Sequence, residues 1–246
     1  MRTLAQQLVS ASKQVQPITV DLSCVPQSLQ EAYHVQDELL QLLNDHSAAW
    51  KVGSGNDEHK VFAAPIPSQW LFNNGSHLSL SDYSLIGIEL EFAFRLNNID
   101  SINQSFSLEQ LEPHITEVAA AIEVVSTRLC HWPDLPAYLK VADLQSNGAL
   151  IIGDAIAYTS TLNYSLPKIS IQNNHTEQSG LIGKNPAGDP RLLLPSLIDQ
   201  QKQQRRKITH TDWITTGSLS GIYFIDYVSN ITGTIEGLPS VNLTIT

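Results

Sequence analysis

The chain has 246 residues, 42% of them hydrophobic, with 24 acidic against 14 basic side chains and a formal net charge of −10. That is enough apolar material for one large buried core, and it excludes intrinsic disorder as the main state. The acidic balance argues against nucleic acid as a partner, no apolar run reaches the roughly 20 residues that span a bilayer, and an anionic ligand would need a local positive charge or a metal ion to bind.

The first residues place Leu4, Leu8 and Ser12 at helical spacing. They read as an amphipathic helix and not as a leader peptide, so the expected location is cytoplasmic. A stronger stripe follows in Leu29, Tyr33, Gln36, Leu39, Leu40 and Leu43, with Pro17 and Pro26 separating the two helices. Residues 1–47 are therefore expected to form an N-terminal helical cap on a body spanning 48–246. From Trp50 the pattern changes to short strands punctuated by Gly, Pro and Asn. Trp50-Lys51-Val52-Gly53 is a candidate strand end, Asn73-Asn74-Gly75 a turn, and Ser84 to Leu96 the clearest strand. Ser107 and Gln110 have the spacing of a capping box and predict a helix to about Val118, running into a strand near 121–125. Further strands are expected at 148–153, 155–161, 168–172, 213–216, 221–226 and 240–245, and a helix from Leu192 to Gln204. The basic cluster at Lys202, Arg205, Arg206 and Lys207 reads as a solvated helix end. Cys24 and Cys130 form neither a CxxC pair nor a disulfide framework. Strands dominate and helices are grouped, which makes the fold class α+β.

The segment Gly87-Ile88-Glu89-Leu90-Glu91-Phe92-Ala93-Phe94 carries the strongest chemical signal. Strand side chains alternate between faces, so Ile88, Leu90, Phe92 and Phe94 share an apolar face while Glu89 and Glu91 share the other. Two carboxylates about 7 Å apart along one strand face suit a hard divalent cation, or else an acidic solvated surface. Glu123 lies in the apolar run Val118 to Val125. A charge there needs a partner, either Arg128 in an ion pair or a cation shared with Glu89 and Glu91. Lys51, between Trp50 and Val52-Gly53, is either a surface lysine packed on Trp50 or an acid/base group whose pKa burial lowers. The histidines are not at paired zinc-ligand spacing, and neither a GxSxG elbow nor a P-loop occurs. Gly217-Ser218-Leu219-Ser220-Gly221 reads as a turn after a strand.

Taken in order, these segments resemble the 2-keto-4-pentenoate hydratase / 2-oxo-3-hexenedioate decarboxylase family of the fumarylacetoacetate hydrolase-like superfamily. The resemblance runs through Ala32-Tyr33-His34-Val35-Gln36, Trp50-Lys51-Val52-Gly53, Glu89-Leu90-Glu91-Phe92-Ala93-Phe94 and Ala121 to Arg128. It continues through Asp143 to Gly148, Gly188-Asp189-Pro190, Thr216-Gly217-Ser218-Leu219 and Gly237-Leu238-Pro239-Ser240-Val241. It implies a mixed, barrel-like β core of the fumarylacetoacetate hydrolase C-terminal type, a homo-oligomer, and a lyase that depends on Mg²⁺ or Mn²⁺. Glu89, Glu91 and Glu123 match the metal-ligand positions and Lys51 the acid/base lysine. Arg128, Asp143, Ser146, Thr216 and Gly217 match substrate-binding positions. The implied substrate is a small 2-oxo or 2-hydroxydienoic acid, and the implied reaction is hydration of a 2-hydroxypenta-2,4-dienoate-type compound. Decarboxylation of a 2-oxo-3-hexenedioate-type acid and hydrolysis of an acylpyruvate are the alternatives.

Several positions depart from the family pattern. Where the family carries an acid soon after the lysine, this chain reads Pro65-Ile66-Pro67-Ser68-Gln69-Trp70. Ser126 stands for Asp, Leu144 for Asn, and Asn147 for the second Ser. These changes open a reading of another class, a member that binds a metal and a 2-oxo acid without turnover. Asp57 or Glu58 is the candidate replacement for the missing acid.

Overall fold

The helix stops at each end of the N-terminal segment are chemical. In α1 (Leu4–Gln14) Thr3 and Gln6 form a reciprocal capping box, and the helix ends on Val15 in the left-handed region. In α2 (Leu29–Leu43) the Ser28 hydroxyl accepts from the Glu31 N–H, and Asn44 closes the helix in the same left-handed way. The computed structural model describes residues 2–54, 61–99, 107–174 and 176–246. After α2 come β1 (Ser47–Ser54), β2 (Val61–Pro67), β3 (Leu71–Asn73), β4 (Ser76–Leu78), β5 (Ile86–Leu96), α3 (Leu108–Leu111) and β6 (Ile115–Val125). The chain continues through α4 (Ala137–Ala142), β7 (Asn147–Ile152), β8 (Ile156–Ala157), β9 (Lys168–Asn173), β10 (Thr176–Ile182) and α5 (Leu193–Gln203). It ends with β11 (Trp213–Thr215), β12 (Tyr223–Ile225), β13 (Ser229–Ile235) and β14 (Val241–Ile245).

The strands form two sheets. One runs β2-β1-β11-β5-β6-β7-β3, with β12 and β8 added beside β5 and β6; the other runs β10-β9-β13-β14-β4. β1 and β11 pair in parallel, as do β3 and β7, while β5, β6 and β7 form an antiparallel series, so the larger sheet is mixed. Alternation along β5 sends Leu90, Phe92 and Phe94 into a core shared with Ile122 of the neighbouring β6 and with Ile231, Val241 and Leu243 of the facing sheet. The sheets approach so closely that a Cβ on Gly233 would lie 2.6 Å from Leu90 Cδ1. The apolar stripe of α5, with Leu193, Leu194, Leu197 and Ile198, joins the same core beside Trp50 and Val52.

The opposite face of the larger sheet has two zones. At one end Ala49, Ala93, Ala119 and Ala121 pave a floor, and Ile66, Leu150, Ile152 and Trp213 fill the curl above it, flanked by Trp70 and Leu71. Beside it stand Lys51, Glu89, Glu91 and Glu123, with Ala121 opposite Glu91 and Leu150 opposite Glu123 in the register. Helices α1, α2 and α4 form a third layer, packing Leu4, Leu8, Tyr33, Leu39 and Leu139 with Ala64 of β2. Arg206 fastens α2 to the segment after α5. It donates to Gln36 Oε1 and the Tyr33 carbonyl, and pairs with Asp37 at 2.7 Å. That corrects the reading of a solvated helix end for Arg206 alone; Lys202, Arg205 and Lys207 are exposed.

The expected helix from Ser107 to Val118 is the largest local correction. The capping box at Ser107 is present, but α3 lasts four residues and Glu112–His114 form a single 3-10 turn. Pro113 cannot donate to a continuing helix, and Ile115-Thr116-Glu117-Val118 pairs with β5 instead. β6 therefore begins six residues before the expected strand near 121–125. The strand expected over 155–161 shrinks to Ile156–Ala157. β2, β3, β4, β10 and β13 lie outside the expected strands. β2 contains Pro65 and Pro67, which it tolerates because it is the edge of its sheet. No helix among the described residues is long and apolar enough to cross a membrane.

Candidate metal centre

Register builds the site. Glu89 of β5 lies directly opposite Glu123 of β6, and Glu91 lies opposite Ala121. Opposed residues share a face, so three carboxylates meet on the side away from the inter-sheet core. One oxygen from each lies within 4.8 Å of the others, and Glu91 and Glu123 are both 0% exposed. Lys51, brought in by β1, donates to Glu123 Oε1 at 2.6 Å and to the Gln145 carbonyl at 3.3 Å. Asn147 Nδ2 donates to the same Glu123 oxygen at 3.0 Å, and the Gly217 N–H donates to Glu91 Oε2 at 3.1 Å. Glu91 Oε1 and Glu123 Oε2 are buried and accept nothing.

The electrostatics of this group are unbalanced. Burial raises the Glu91 carboxyl well above its ordinary range, and Glu123 and Glu89 push it further, against the opposing pull of Lys51. Glu89 is raised for the same reasons, with Lys51 and the Ser218 hydroxyl opposing. For Lys51, burial works to lower the pKa, but the attraction of Glu123, Glu89 and Glu91 outweighs it and the ammonium is held above its usual range. The expectation that burial alone would lower Lys51 is thus corrected. Glu123 pairs with Lys51, so the alternative pairing with Arg128 does not occur. Three carboxylates and one ammonium leave an excess of two negative charges when all are ionised. Two buried carboxylate oxygens without a donor and an all-oxygen donor set fit a hard divalent cation.

The other sequence-matched residues divide into two groups. Arg128 and Asp143 are buried and paired with each other; Arg128 Nε donates to Asp143 Oδ1, and Thr127 Oγ1 and the Arg128 N–H donate to Asp143 Oδ2. The guanidinium also donates to the carbonyls of Asn147 at 2.5 Å and Asp143 at 2.5 Å. The pair clamps the connection between α4 and β7, and its polar groups are spent on that chain. Ser146 is inside the clamp; its N–H donates to the Asp143 carbonyl and its carbonyl accepts from Ser126. Thr216 and Gly217 stand on the other side of Glu91. Asn185 Nδ2 donates to both of their carbonyls, at 2.8 and 2.9 Å, and holds the bend at which Gly217 takes a φ of 86°. The Thr216 hydroxyl is buried without a partner. Asn185 had no local signal in the sequence, because it acts through a contact 31 residues away, and Asn147 stood out only as a departure from the family pattern, its contact with Glu123 spanning 24 residues. Asp57 and Glu58 lie outside the described residues.

No family model matches the sequence, and no curated sequence matches it. Solved structures do. The chain superposes on a 4-oxalocrotonate decarboxylase from Pseudomonas putida G7, complexed with magnesium and adipate, with a TM-score of 0.83 at 18% identity over 100% of both chains. The complex of that enzyme with calcium and acetate gives 0.78 at 19%, again over 100% of both chains. A fumarylpyruvate hydrolase from Pseudomonas aeruginosa, in complex with Mn²⁺ and pyruvate, gives 0.56 at 16% over 80% of this chain and 88% of the other. What the chain shares with these proteins is architecture: it has the fumarylacetoacetate hydrolase-like fold, a mixed, curled sheet of the α+β class.

Proposed function

We propose that this chain is a divalent-metal-dependent enzyme that acts on a small 2-oxo or 2-hydroxydienoic acid. One observation carries the proposal: a buried group of three carboxylates and one ammonium, two of whose oxygens have no donor. Glu89, Glu91 and Glu123 would hold Mg²⁺ or Mn²⁺. When bound, the cation supplies Lewis-acid polarisation of a chelated 2-oxo carboxylate and offsets the repulsion that an acidic protein exerts on an anion. Lys51 holds a proton on Nζ beside the ligand set and is the proton donor of the site. The Gly217 N–H orients Glu91, and Asn147 orients Glu123. The apolar filling of the curl keeps water away from one side of the group.

Hydration of a 2-hydroxypenta-2,4-dienoate-type substrate and decarboxylation of a 2-oxo-3-hexenedioate-type acid both begin from such a chelated 2-oxo acid. The full-length likeness to a decarboxylase supports the second reaction. Calorimetric titration of Mn²⁺ into the metal-free protein, with and without oxalate, tests the class. Binding that tightens with oxalate and disappears in Glu91→Gln is the expected result. Absence of Mn²⁺ binding, or equal affinity in Glu91→Gln, overturns the proposal. A substrate panel then separates hydration from CO₂ release, and a protein that binds oxalate and Mn²⁺ but turns over neither substrate is a binding module.

A further inference from the structure

The connection between α4 and β7 places three consecutive non-glycine residues, Leu144, Gln145 and Ser146, at φ values of 50°, 52° and 59°. Left-handed backbone costs such residues about 1 kcal/mol or more each, and runs of it persist only where surrounding contacts over-determine them. Here the clamp of Arg128 and Asp143 does so. The result is that Gln145 faces the site. Its carbonyl accepts from Lys51 Nζ, and its carboxamide points toward Gly53, which lies two residues beyond Lys51 on the same face of β1. Among the described residues, a Cβ built on Gly53 would meet a single neighbour within 4 Å, Gln145 Oε1 at 3.8 Å. Gln145 Nε2 is buried without an acceptor, an arrangement that costs free energy unless a ligand supplies one.

From this geometry we infer that the Gln145 carboxamide is a specificity-determining contact, donating to an oxygen on the part of the substrate remote from the chelated end. The inference rests on the metal-dependent reading above. The three glutamates mark the end that holds the 2-oxo carboxylate. Lys51 bridges Glu123 and the Gln145 loop, so the carboxamide stands beyond Lys51 from the ligand set. A tail that leaves the glutamates past Lys51 runs toward the carboxamide and Gly53. An amide N–H there favours a tail ending in a carboxylate or carbonyl over an apolar one.

The test uses Mn²⁺-loaded protein and three probes: oxalate, which has no tail, 2-oxopentanoate, whose tail is apolar, and 2-oxoglutarate, of the same chain length with a distal carboxylate. Wild type is expected to bind 2-oxoglutarate about tenfold more tightly than 2-oxopentanoate, the scale of one hydrogen bond to a charged group. Gln145→Leu is expected to erase that ratio while Mn²⁺ and oxalate affinities stay unchanged. Gln145→Glu should invert the ratio by setting like charges together. A wild type without the preference, a preference retained in Gln145→Leu, or a parallel loss for all three probes would each overturn the assignment. Failure of the metal-dependent reading is distinct, since wild type would then bind neither Mn²⁺ alone nor oxalate with it, and the inference would fall with it.

Discussion

Lys51 keeps its charge where an isolated lysine would lose it, because three carboxylates surround it. If it is the proton donor of the site, Lys51→Met should retain Mn²⁺ affinity and lower kcat by about 10²–10⁴; an unchanged kcat would remove it from that role. The glutamates predict a pH dependence of the opposite sign to the usual acid denaturation. Glu89 and Glu91 are raised in the folded chain, so the folded state binds more protons than the unfolded one. Their contribution to stability is complete below the ordinary carboxylate range and is lost as pH rises through their raised values. The metal-free protein should therefore melt at lower temperature as pH rises above the ordinary carboxylate range, and Glu91→Gln should flatten that slope. Mn²⁺ should act in reverse, binding more tightly as pH rises and releasing protons as it binds. Differential scanning fluorimetry across pH, with and without Mn²⁺, checks both signs.

Among the elements, the β6–β7 pair carries the most demanding geometry. Val124 pairs with Ala149 and Val125 with Asn147, so Gly148 is the extra residue of a bulge that turns Asn147 toward Glu123. A Cβ on Gly148 would lie 2.7 Å from Ser126 Cβ and 3.1 Å from the Val124 carbonyl. Gly148→Ala should cost about 1–3 kcal/mol in urea unfolding, as overpacking does, and weaken Mn²⁺ binding through the displaced Asn147. The sequence made some elements legible and hid others for definite reasons. β5 showed through its strict alternation, and the three glutamates through charge set in apolar strands. α1 and α2 showed through their stripes. β13, with Asn, Thr and Gly between its isoleucines, has too weak a pattern to stand out. The capping box at Ser107 correctly marked a helix start, but pairing with β5 overrode the continuation. The sequence offered Arg128 only Glu123 as a partner; its actual partner, Asp143, lies 15 residues on and is brought to it by the fold. Gln145 was invisible because backbone conformation, not residue type, aims it at Lys51.

At the scale of the whole molecule, a net charge of −10 surrounds a site proposed to receive anions. Raising ionic strength from about 20 to about 200 mM shortens the screening length from about 20 to about 7 Å. The association rate of oxalate with the Mn²⁺-loaded protein should rise over that interval, measured by stopped flow; a falling rate would mean that the site's own positive field outweighs the surface. The alanine floor with Ile66, Leu150, Ile152 and Trp213 above it has a kinetic consequence. Leu150 is the register partner of Glu123, and Ala121 that of Glu91, so hydrocarbon lies directly against the carboxylates. Such a flank offers no competing hydrogen bonds and little dielectric screening, so a captured cation is held briskly or slowly according to the glutamates alone, and Leu150→Asn should speed Mn²⁺ release in a chelator-chase measurement.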